Sequence, residues 1–397
     1  MNSTFAFIFV QILIMDIRHY FNPVNFLKLP ELCTSKYSLG RVIKNFTSKL
    51  TISNIKNIEV VIIGVPIKSG NKGKDLVESP DIIREELYQL TDLNDKLNIV
   101  DFGNLKEAKS QKGTYLALRD VIEYFNELNI TTIVIGGSQD LTVGICDAFK
   151  NERFFTLAVI DALLDVKKGK ETFGQSNFLT RIFKTNLNLF QFSLLAYQSH
   201  FVASEQISKT KGIGEHLRLG LLRDDLTEAE PIIRNAHVLS FDIGAIKYIE
   251  APGRSIVTPN GLRGEEACQL AKYAGSSSRL KVFGLFEADA QKDKSGLTVK
   301  LSAQIIWYFL NGYTTRQIEK IESVENKIIY KVEVKDVDKP LVFYKHSRSN
   351  RWWLEIELLS GEKVNVACSE REYRLASNND IPELWLKYVQ KIDSLSK

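Results

Sequence analysis

The chain has 397 residues, which is enough for one large domain and a smaller appendage. Hydrophobic residues make up 44% and charged residues 25%, the composition of an ordinary soluble globular protein. The formal net charge of +4 is too small for this length to indicate a nucleic-acid-binding protein.

Residues 1–55 are predicted to form an N-terminal extension followed by one or two helices. The apolar run at 5–15 is too short to cross a bilayer and lacks the basic start and cleavage site of a signal peptide. The sequence after Met15 is typical of the beginning of a soluble protein. We therefore expect no stable membrane span and regard 1–14 as an upstream extension, with a targeting segment as the open alternative.

Residues 56–320 alternate apolar runs with amphipathic segments. Strands are predicted at 59–66, 97–103, 131–136, 155–160, 187–198, 217–222, 237–243 and 280–288. Helices are predicted at 82–90, 113–128, 141–150, 264–275 and 301–313. About eight strands joined by crossover helices predict an α/β fold, a three-layer α/β/α domain with a mostly parallel sheet.

Residues 321–397 have a different pattern, with short alternating segments separated by turns. This pattern predicts an antiparallel β meander followed by a terminal helix at 382–394. Trp352 and Trp353 are adjacent, so in a strand they face opposite sides. We expect one of them in the core and the other exposed, as an anchor for a protein partner.

Cysteine usage indicates a reducing compartment. The four cysteines stand far apart without a CxxC pair, and Cys146 and Cys268 lie in apolar, helix-like patterns. Buried free thiols are therefore favoured over disulfides, which predicts a cytoplasmic protein. None of the five histidines has a metal-ligand spacing.

Polar residues follow three of the predicted strands. Gln139 follows 131–136, Asp161 and Asp165 follow 155–160, and Asp242 ends the strand 237–243. Because ligands bind at the carboxyl ends of strands in open α/β sheets, these residues mark the predicted site.

Five segments in this order resemble the arginase, agmatinase and formimidoylglutamase family, the ureohydrolases, and most closely formimidoylglutamases. The similarity covers most of 58–315. It is carried by GVPIKSGNKGKDLVESPDIIREELYQL, IGGSQDLTVG, VIDALLDV, LSFDIGAIKYIEAPGRSIVTPNGLRGEEACQLAKYAG and GLFEA. The resemblance implies an arginase-like fold and a homo-oligomer.

The resemblance also implies a pair of Mn²⁺ ions whose bridging hydroxide attacks an amidine, guanidine or formimino carbon. Half of the six ligand positions have changed. The positions that keep a carboxylate are Asp161, Asp165 and Asp242, and the changed positions are Gln139, Leu163 and Gly244. Leucine and glycine side chains have no donor atom, whereas the Gln139 amide oxygen is a usable neutral ligand. A reduced single site of Asp161, Asp165, Asp242 and Gln139 is therefore conceivable.

The favoured interpretation is a non-catalytic pseudoenzyme that acts as a binding or scaffolding subunit, with no resident cofactor. The alternative is a C–N hydrolase with one weakly bound Mn²⁺ or Mg²⁺, and a small-molecule sensor also stays open. No catalytic residue is assigned, and Glu287 and Asn177 are the pocket candidates. Without a metal, protons or a basic side chain must compensate the carboxylates. The basic candidates are Lys167, Lys168, Arg181, Lys247 and Arg254.

Overall fold

The computed structural model describes residues 17–24, 33, 35–45, 57–68, 76–77, 79–93, 97–166, 174–316, 327–347, 349–357 and 361–395. The predicted extension at 1–14 and the candidates Lys167 and Lys168 lie outside these residues. Within them, no helix has the length and apolar character that a membrane crossing requires.

The central sheet has ten strands among the described residues, and eight of them form one continuous parallel array. The first twelve strands of the chain are β1 (Phe21–Asn22), β2 (Lys44–Asn45), β3 (Val60–Gly64), β4 (Ile67–Lys68), β5 (Leu76–Val77), β6 (Ile99–Leu105), β7 (Thr131–Ile135), β8 (Phe155–Ile160), β9 (Leu189–Tyr197), β10 (His216–Arg218), β11 (Val238–Asp242) and β12 (Val282–Phe286). The sheet order is β1-β6-β3-β7-β12-β11-β8-β9-β10, with β2 beside β6, while β4 and β5 form a separate hairpin. The predicted mostly parallel sheet of about eight strands is confirmed.

Helices cover both faces of this sheet. They are α1 (Ser79–Gln89), α2 (Gln111–Glu127), α3 (Thr142–Asp147), α4 (Phe178–Thr185), α5 (Ser204–Lys211), α6 (Leu219–Asp224), α7 (Ala229–Arg234), α8 (Gly264–Gly275) and α9 (Leu297–Thr314). Helices α1, α6, α7, α8 and α9 pack on one face, and α2 to α5 pack on the other. The three-layer α/β/α architecture is therefore confirmed.

The two hydrophobic cores form because side chains of each strand point alternately to the two faces of the sheet. In β3, Val60 and Ile62 belong to one hydrophobic cluster, whereas Val61 and Ile63 belong to the other, and all four are fully buried. Successive side chains of a strand point to opposite faces, so a strand covered on both sides must be apolar throughout. This is why the parallel strands were visible in the sequence as continuous apolar runs.

The predicted strand at 217–222 is wrong in its second half. Strand β10 ends at Arg218, and the following residues form α6. Leu219 and Leu222 are buried, while Leu221 between them is 44% exposed. Buried residues three positions apart are typical of a helix. The six-residue segment was too short for its sequence pattern to be distinguished from that of a strand.

The C-terminal residues form the predicted meander. Its strands are β13 (Lys327–Val332), β14 (Leu341–His346), β15 (Trp352–Glu357) and β16 (Lys363–Cys368), paired antiparallel in that order. Two helices, α10 (Glu370–Ser377) and α11 (Glu383–Leu395), cover one face of it. The terminal helix was predicted, whereas α10 was not.

The expectation of an exposed tryptophan is wrong. Trp352 is 4% exposed and stacks on Tyr330 and Tyr373 in the core of the meander. Trp353 faces the other side, as predicted, but it is only 6% exposed because the guanidinium of Arg234 from α7 lies 4.5 Å from its ring centroid. The second face of the meander is covered at this point by the α/β domain.

The meander is attached to α7 through buried hydrogen bonds. The Asn235 side chain donates to the Ala367 carbonyl at 2.8 Å and accepts from the Ala367 N–H at 2.9 Å. Arg234 donates to the Trp352 carbonyl at 3.0 Å. These contacts join the edge of β16 to the domain with fixed orientation.

All four cysteines are buried and free. The prediction of buried free thiols at Cys146 and Cys268 is confirmed, and burial raises the pKa of both thiols. The cytoplasmic compartment inferred from them stays a prediction.

We expect Asn235→Ala to lower the free energy of unfolding by about 2 kcal/mol, because it leaves the Ala367 N–H and carbonyl without partners in a buried place. Urea unfolding followed by tryptophan fluorescence measures this. Asn260→Ala is the matched control, since Asn260 is exposed and its substitution should change stability by less than about 0.5 kcal/mol. Equal unfolding midpoints for the two variants would contradict the proposed attachment.

Candidate metal and ligand site

Four adjacent strands bring the predicted site residues to one edge of the sheet. In the register of β8 and β11, Ile160 lies beside Phe241, so Asp161 and Asp242 each follow one member of an aligned pair. Strand β12 lies on the other side of β11, with Phe286 beside Asp242, and it is followed by Glu287. The edge therefore carries three carboxylates from neighbouring strands.

The turn after β7 completes this edge. Gly136 and Gly137 have φ angles of 80° and 79°, and a Cβ on Gly137 would lie 2.1 Å from Leu141 Cδ1. Glycine adopts these φ angles without strain, which residues with a Cβ do not. The turn presents the Gln139 N–H, which donates to Glu287 Oε1 at 2.9 Å, while the Glu287 N–H donates to the Gly137 carbonyl at 3.0 Å. These two hydrogen bonds connect the turn after β7 to the residue that follows β12.

Asp161 and Asp242 have the same local geometry. Each is nearly buried, at 2% and 7% exposure. Oδ1 of Asp161 accepts the Leu163 N–H at 3.0 Å, and Oδ1 of Asp242 accepts the Gly244 N–H at 2.5 Å. At both positions where the resemblance implies a metal-ligating side chain, the chain offers a backbone N–H to the preceding carboxylate instead.

Burial and mutual repulsion raise the pKa of these carboxyl groups. Burial is the largest cause for Asp161, whose pKa lies well above its usual range, and the charges of Asp242 and Asp165 add to it. The pKa of Asp242 rises to about 7, mainly through burial, while Arg254 acts in the opposite direction. Burial and the charge of Asp242 raise the pKa of Glu287 to about 8. Part of the site is therefore protonated at neutral pH.

The side-chain amide of Gln139 has no hydrogen-bond partner among the described residues. Gln139 is 3% exposed, and both Oε1 and Nε2 are buried. Leaving such a group unpaired costs about 1–3 kcal/mol, so buried amides in folded proteins nearly always have a partner. An amide oxygen beside a group of carboxylates is a suitable ligand for a hard divalent cation.

The donor set does not fit a pair of metal ions. Leu163 and Gly244 supply no side-chain donor, and the described residues contain no group of three or more His, Cys, Asp or Glu placed to hold a metal ion. The orphaned Gln139 amide and the repelling carboxylates are the groups whose polar atoms and charge a single cation would satisfy.

The remaining candidates have different positions. Asn177 is 4% exposed, and its Oδ1 accepts the Gly174 N–H at 2.8 Å at the start of α4. Leu179 in the first turn of α4 donates to the Asp165 carbonyl at 3.2 Å, so this turn lies beside the site. A pocket role for Asn177 stays a prediction.

Among the basic candidates in the described residues, Arg254 lies near the site: its Nη1 donates to the Gly244 carbonyl at 2.5 Å, and its charge opposes the rise in the pKa of Asp242. Arg181 lies instead over the ring of Tyr115, with the guanidinium 5.1 Å from the centroid.

The sequence analysis missed Asp140. This carboxylate is 1% exposed and accepts hydrogen bonds from Tyr115, Gln111 and Ser138. It borders a cavity of about 620 Å³ at the ends of β3, β6 and β7, and Asp161, Asp242 and Glu287 are not among the residues that line this cavity. Its position directly after Gln139, at the start of a helix, was the available signal.

The pH dependence of stability should identify the buried carboxyl of Asp242 in metal-free protein. Because its folded-state pKa is raised from 3.8 to about 7, the folded protein binds an additional proton in this window, and the stability contributed by this group is lost as pH rises. Relative to Asp242→Asn, the wild type should lose about 2–3 kcal/mol of unfolding free energy between about pH 5 and about pH 8.

Urea unfolding at a series of pH values, with chelator present, measures this difference. Asp224→Asn, at an exposed aspartate, is the matched control and should follow the wild-type curve. Parallel curves for wild type and Asp242→Asn would contradict the raised pKa.

Several solved structures share this fold. Formiminoglutamase from Trypanosoma cruzi, in a crystal structure with Mn²⁺, superposes with a TM-score of 0.61 at 19% identity, over 68% of this chain and 97% of that one. Formimidoylglutamase from Bacillus subtilis has a TM-score of 0.60 at 15% identity, over 71% and 93% of the two chains. At these identities the likeness shows the fold.

The expectation that no cofactor belongs to this site is wrong. The T. cruzi formiminoglutamase, which has the same fold, contains Mn²⁺ in its crystal structure, and this finding overturns the expectation. The expectation rested on the two positions without donors, and it gave too little weight to the carboxylates that remain at the strand ends.

Sequence comparison agrees with the structural likeness. A formimidoylglutamase from Citrobacter koseri is 21% identical over 261 residues, which is 63% of this chain and 82% of that protein. The sequence profile of the arginase family matches residues 58–311, a segment that includes β3 to β12 and every candidate residue of the site. The chain therefore belongs to the arginase family, as its five segments predicted.

Proposed function

We propose that this protein is a non-catalytic, formimidoylglutamase-like member of the arginase family. In this proposal it holds one divalent cation at the strand-end site and binds a small ligand there without hydrolysing it. The observation that carries the proposal is the geometry at Leu163 and Gly244. Both residues contribute a backbone N–H to the preceding aspartate, and neither contributes a donor for a second cation.

The residues that would hold the cation are Asp161, Asp165, Asp242 and Gln139. Two of the carboxylates already give Oδ1 to a backbone N–H, so Oδ2 is the oxygen that each can offer. The Gln139 amide, which follows β7 at the same edge of the sheet, would supply a neutral oxygen. A divalent cation at this place supplies positive charge that polarises and orients an oxygen or nitrogen atom of a ligand.

Loss of hydrolysis follows from how the family reaction depends on two ions. A metal ion, where bound, would supply the positive charge that lowers the pKa of a coordinated water. With no side-chain donor at positions 163 and 244, the residues of this chain would hold one ion and would supply less of that charge. The chain's own residues then bind and orient a ligand but do not generate the attacking group.

The proposed ligand carries an amidine, guanidine or formimino group, the chemistry shared by the family's substrates. Glu287 would pair with such a group through Oε2, since Oε1 accepts the Gln139 N–H. A hydrogen bond from an amidinium N–H to a carboxylate oxygen is charge-assisted and stronger than one between neutral groups. Binding a cationic ligand would also lower the raised pKa of Glu287.

One observation favours a second candidate function, a single-metal C–N hydrolase. Glu287 has a φ of 65°, which is unusual for a residue other than glycine, and such backbone strain is concentrated at active sites. Its pKa of about 8 also suits a group that exchanges a proton near neutral pH.

The deciding experiment measures metal content and turnover of the purified full chain. We expect about one Mn²⁺ per chain in calorimetric titration, and no release of ammonia, urea or formamide from formiminoglutamate, agmatine or arginine. Asp242→Ala should abolish Mn²⁺ binding, whereas Asp224→Asn should leave it unchanged. If the wild type shows turnover, and both Asp242→Ala and Glu287→Gln abolish it, the protein is a hydrolase and the proposed binding function is wrong.

Restoring the missing donors should restore a second metal. The triple variant Gln139→His, Leu163→His, Gly244→Asp should bind about two Mn²⁺ per chain, at least about tenfold more tightly than the wild type. A Cβ at position 244 would lie 2.8 Å from Asp242 Oδ1, so that carboxylate must shift to admit the new side chain.

The triple variant combined with Asp242→Ala is the control, and it should lose both the second Mn²⁺ and the tighter binding. A triple variant with unchanged stoichiometry would show that positions 139, 163 and 244 do not share one site.

A further inference from the structure

The cavity beside Asp140 lies at a topological switch point of the central sheet. The chain runs from β3 to its neighbour β6 and then crosses back over β3 to β7. Helix α1, the first helix after β3, packs on one face, whereas α2 and α3, which follow β6 and β7, pack on the other. In open α/β sheets the crevice at such a point is the usual place for a ligand. The volume of about 620 Å³ is within the range of small-molecule pockets.

The Asp140 carboxylate is a buried part of the cavity wall. Its Oδ2 accepts hydrogen bonds from the Tyr115 hydroxyl and the Gln111 amide, and its Oδ1 accepts one from the Ser138 hydroxyl. These donors are neutral, and Asp140 forms no ion pair with any described residue. Because a carboxylate has about four acceptor positions, one position on Oδ1 has no donor within the described chain.

Asp81 contributes a carboxylate from the helix on the other face of the sheet. It lies in the first turn of α1 and accepts from Arg84 Nη1 and from the Asn104 amide, both at 2.9 Å. The same guanidinium donates to Asp101 Oδ2 at 2.8 Å, and Asp101 is 1% exposed. One guanidinium therefore serves two carboxylates, so this group keeps a net negative charge. Asp81 is the carboxylate of the two that lines the cavity.

The lining of the cavity favours a ligand that is both cationic and aliphatic. Among the described lining residues, Asp81, Glu107 and Asp140 carry carboxylates, whereas Lys106 carries the only ammonium group. This excess of negative charge favours a cation. Apolar lining residues include Pro23, Val65, Pro66, Leu105 and Leu141. These side chains suit methylene groups rather than a hydrated inorganic ion.

We propose that this cavity is a second ligand site, separate from the strand-end carboxylates, and that it binds an aliphatic diamine as the dication. One ammonium group donates to the open acceptor position of Asp140 Oδ1. The other lies at Asp81, where one guanidinium is shared by two carboxylates. The methylene chain between them contacts the apolar lining, so both the charges and the length of the ligand contribute to recognition.

The test is calorimetric titration of the full chain, in the presence of chelator, with 1,6-diaminohexane, hexylamine and 1,6-hexanediol. These probes have the same chain length and carry two, one and no positive charges. Because charge-assisted hydrogen bonds are stronger than neutral ones, each added charge should tighten binding by at least about tenfold. Equal affinities for the three probes would indicate apolar contact alone and would overturn the proposal, as would a diamine that does not bind.

Variants assign the two ammonium groups to their carboxylates. Asp81→Asn should bring the affinity for the diamine to within about threefold of that for hexylamine, because one of two charged contacts is lost. Asp140→Asn should weaken both amines by at least about tenfold. The exposed aspartate variant Asp224→Asn is the matched control and should bind all three probes like the wild type. Unchanged diamine affinity in Asp81→Asn or Asp140→Asn would contradict the proposed contacts.

A steric variant keeps the test decisive if Asp140→Asn does not fold. Thr114 in α2 lines the cavity and is partly exposed, so Thr114→Phe fills space there and leaves both carboxylates in place. It should weaken the diamine by at least about tenfold. Wild-type affinity in Thr114→Phe would show that the diamine binds elsewhere and would overturn the site.

Discussion

Asp161 and Asp242 stand one residue beyond an aligned pair of buried strand residues, Ile160 and Phe241. A carboxylate that leaves water loses its hydration, and a second carboxylate beside it adds repulsion. The apolar residues below them are packed between two layers of helices, so the register of the strands cannot change to separate the charges. The structure around this edge is therefore determined by how the negative charge is compensated.

Three kinds of compensation are present in this chain, and they differ in reversibility. The backbone N–H groups of Leu163 and Gly244 are permanent, since they belong to the turns that follow β8 and β11. Protonation of Asp242 and Glu287 depends on pH. The guanidinium of Arg254 donates to the Gly244 carbonyl and opposes the rise in the pKa of Asp242.

The sequence predicted the central sheet well because each parallel strand is buried on both faces. Such strands are continuous apolar runs, and residue spacing within them carries no competing helical signal. It also predicted that Gln139, Asp161 and Asp242 share one edge, because the carboxyl ends of parallel strands always do. Short elements such as α6 were missed, since six residues contain fewer than two helical turns.

Contacts between segments that are distant in the chain could not be predicted from sequence patterns. One of Trp352 and Trp353 was expected to be exposed because adjacent strand residues face opposite sides, and only the tertiary structure places Arg234 over the ring of Trp353. Arg254 was one of five basic candidates that could not be ranked. Arg254 reaches this position because its loop returns to the end of β11. There its side chain donates to the carbonyls of Ile243 and Gly244, which lie 11 and 10 residues earlier in the chain.

Gly244 limits which side chains the turn after β11 can accept. Any side chain at this position begins with a Cβ that would lie 2.8 Å from Asp242 Oδ1, and the carbonyl of the same residue is already bound to Arg254. A larger residue here must therefore displace the Asp242 carboxylate, so a single substitution at position 244 changes two neighbouring contacts at once.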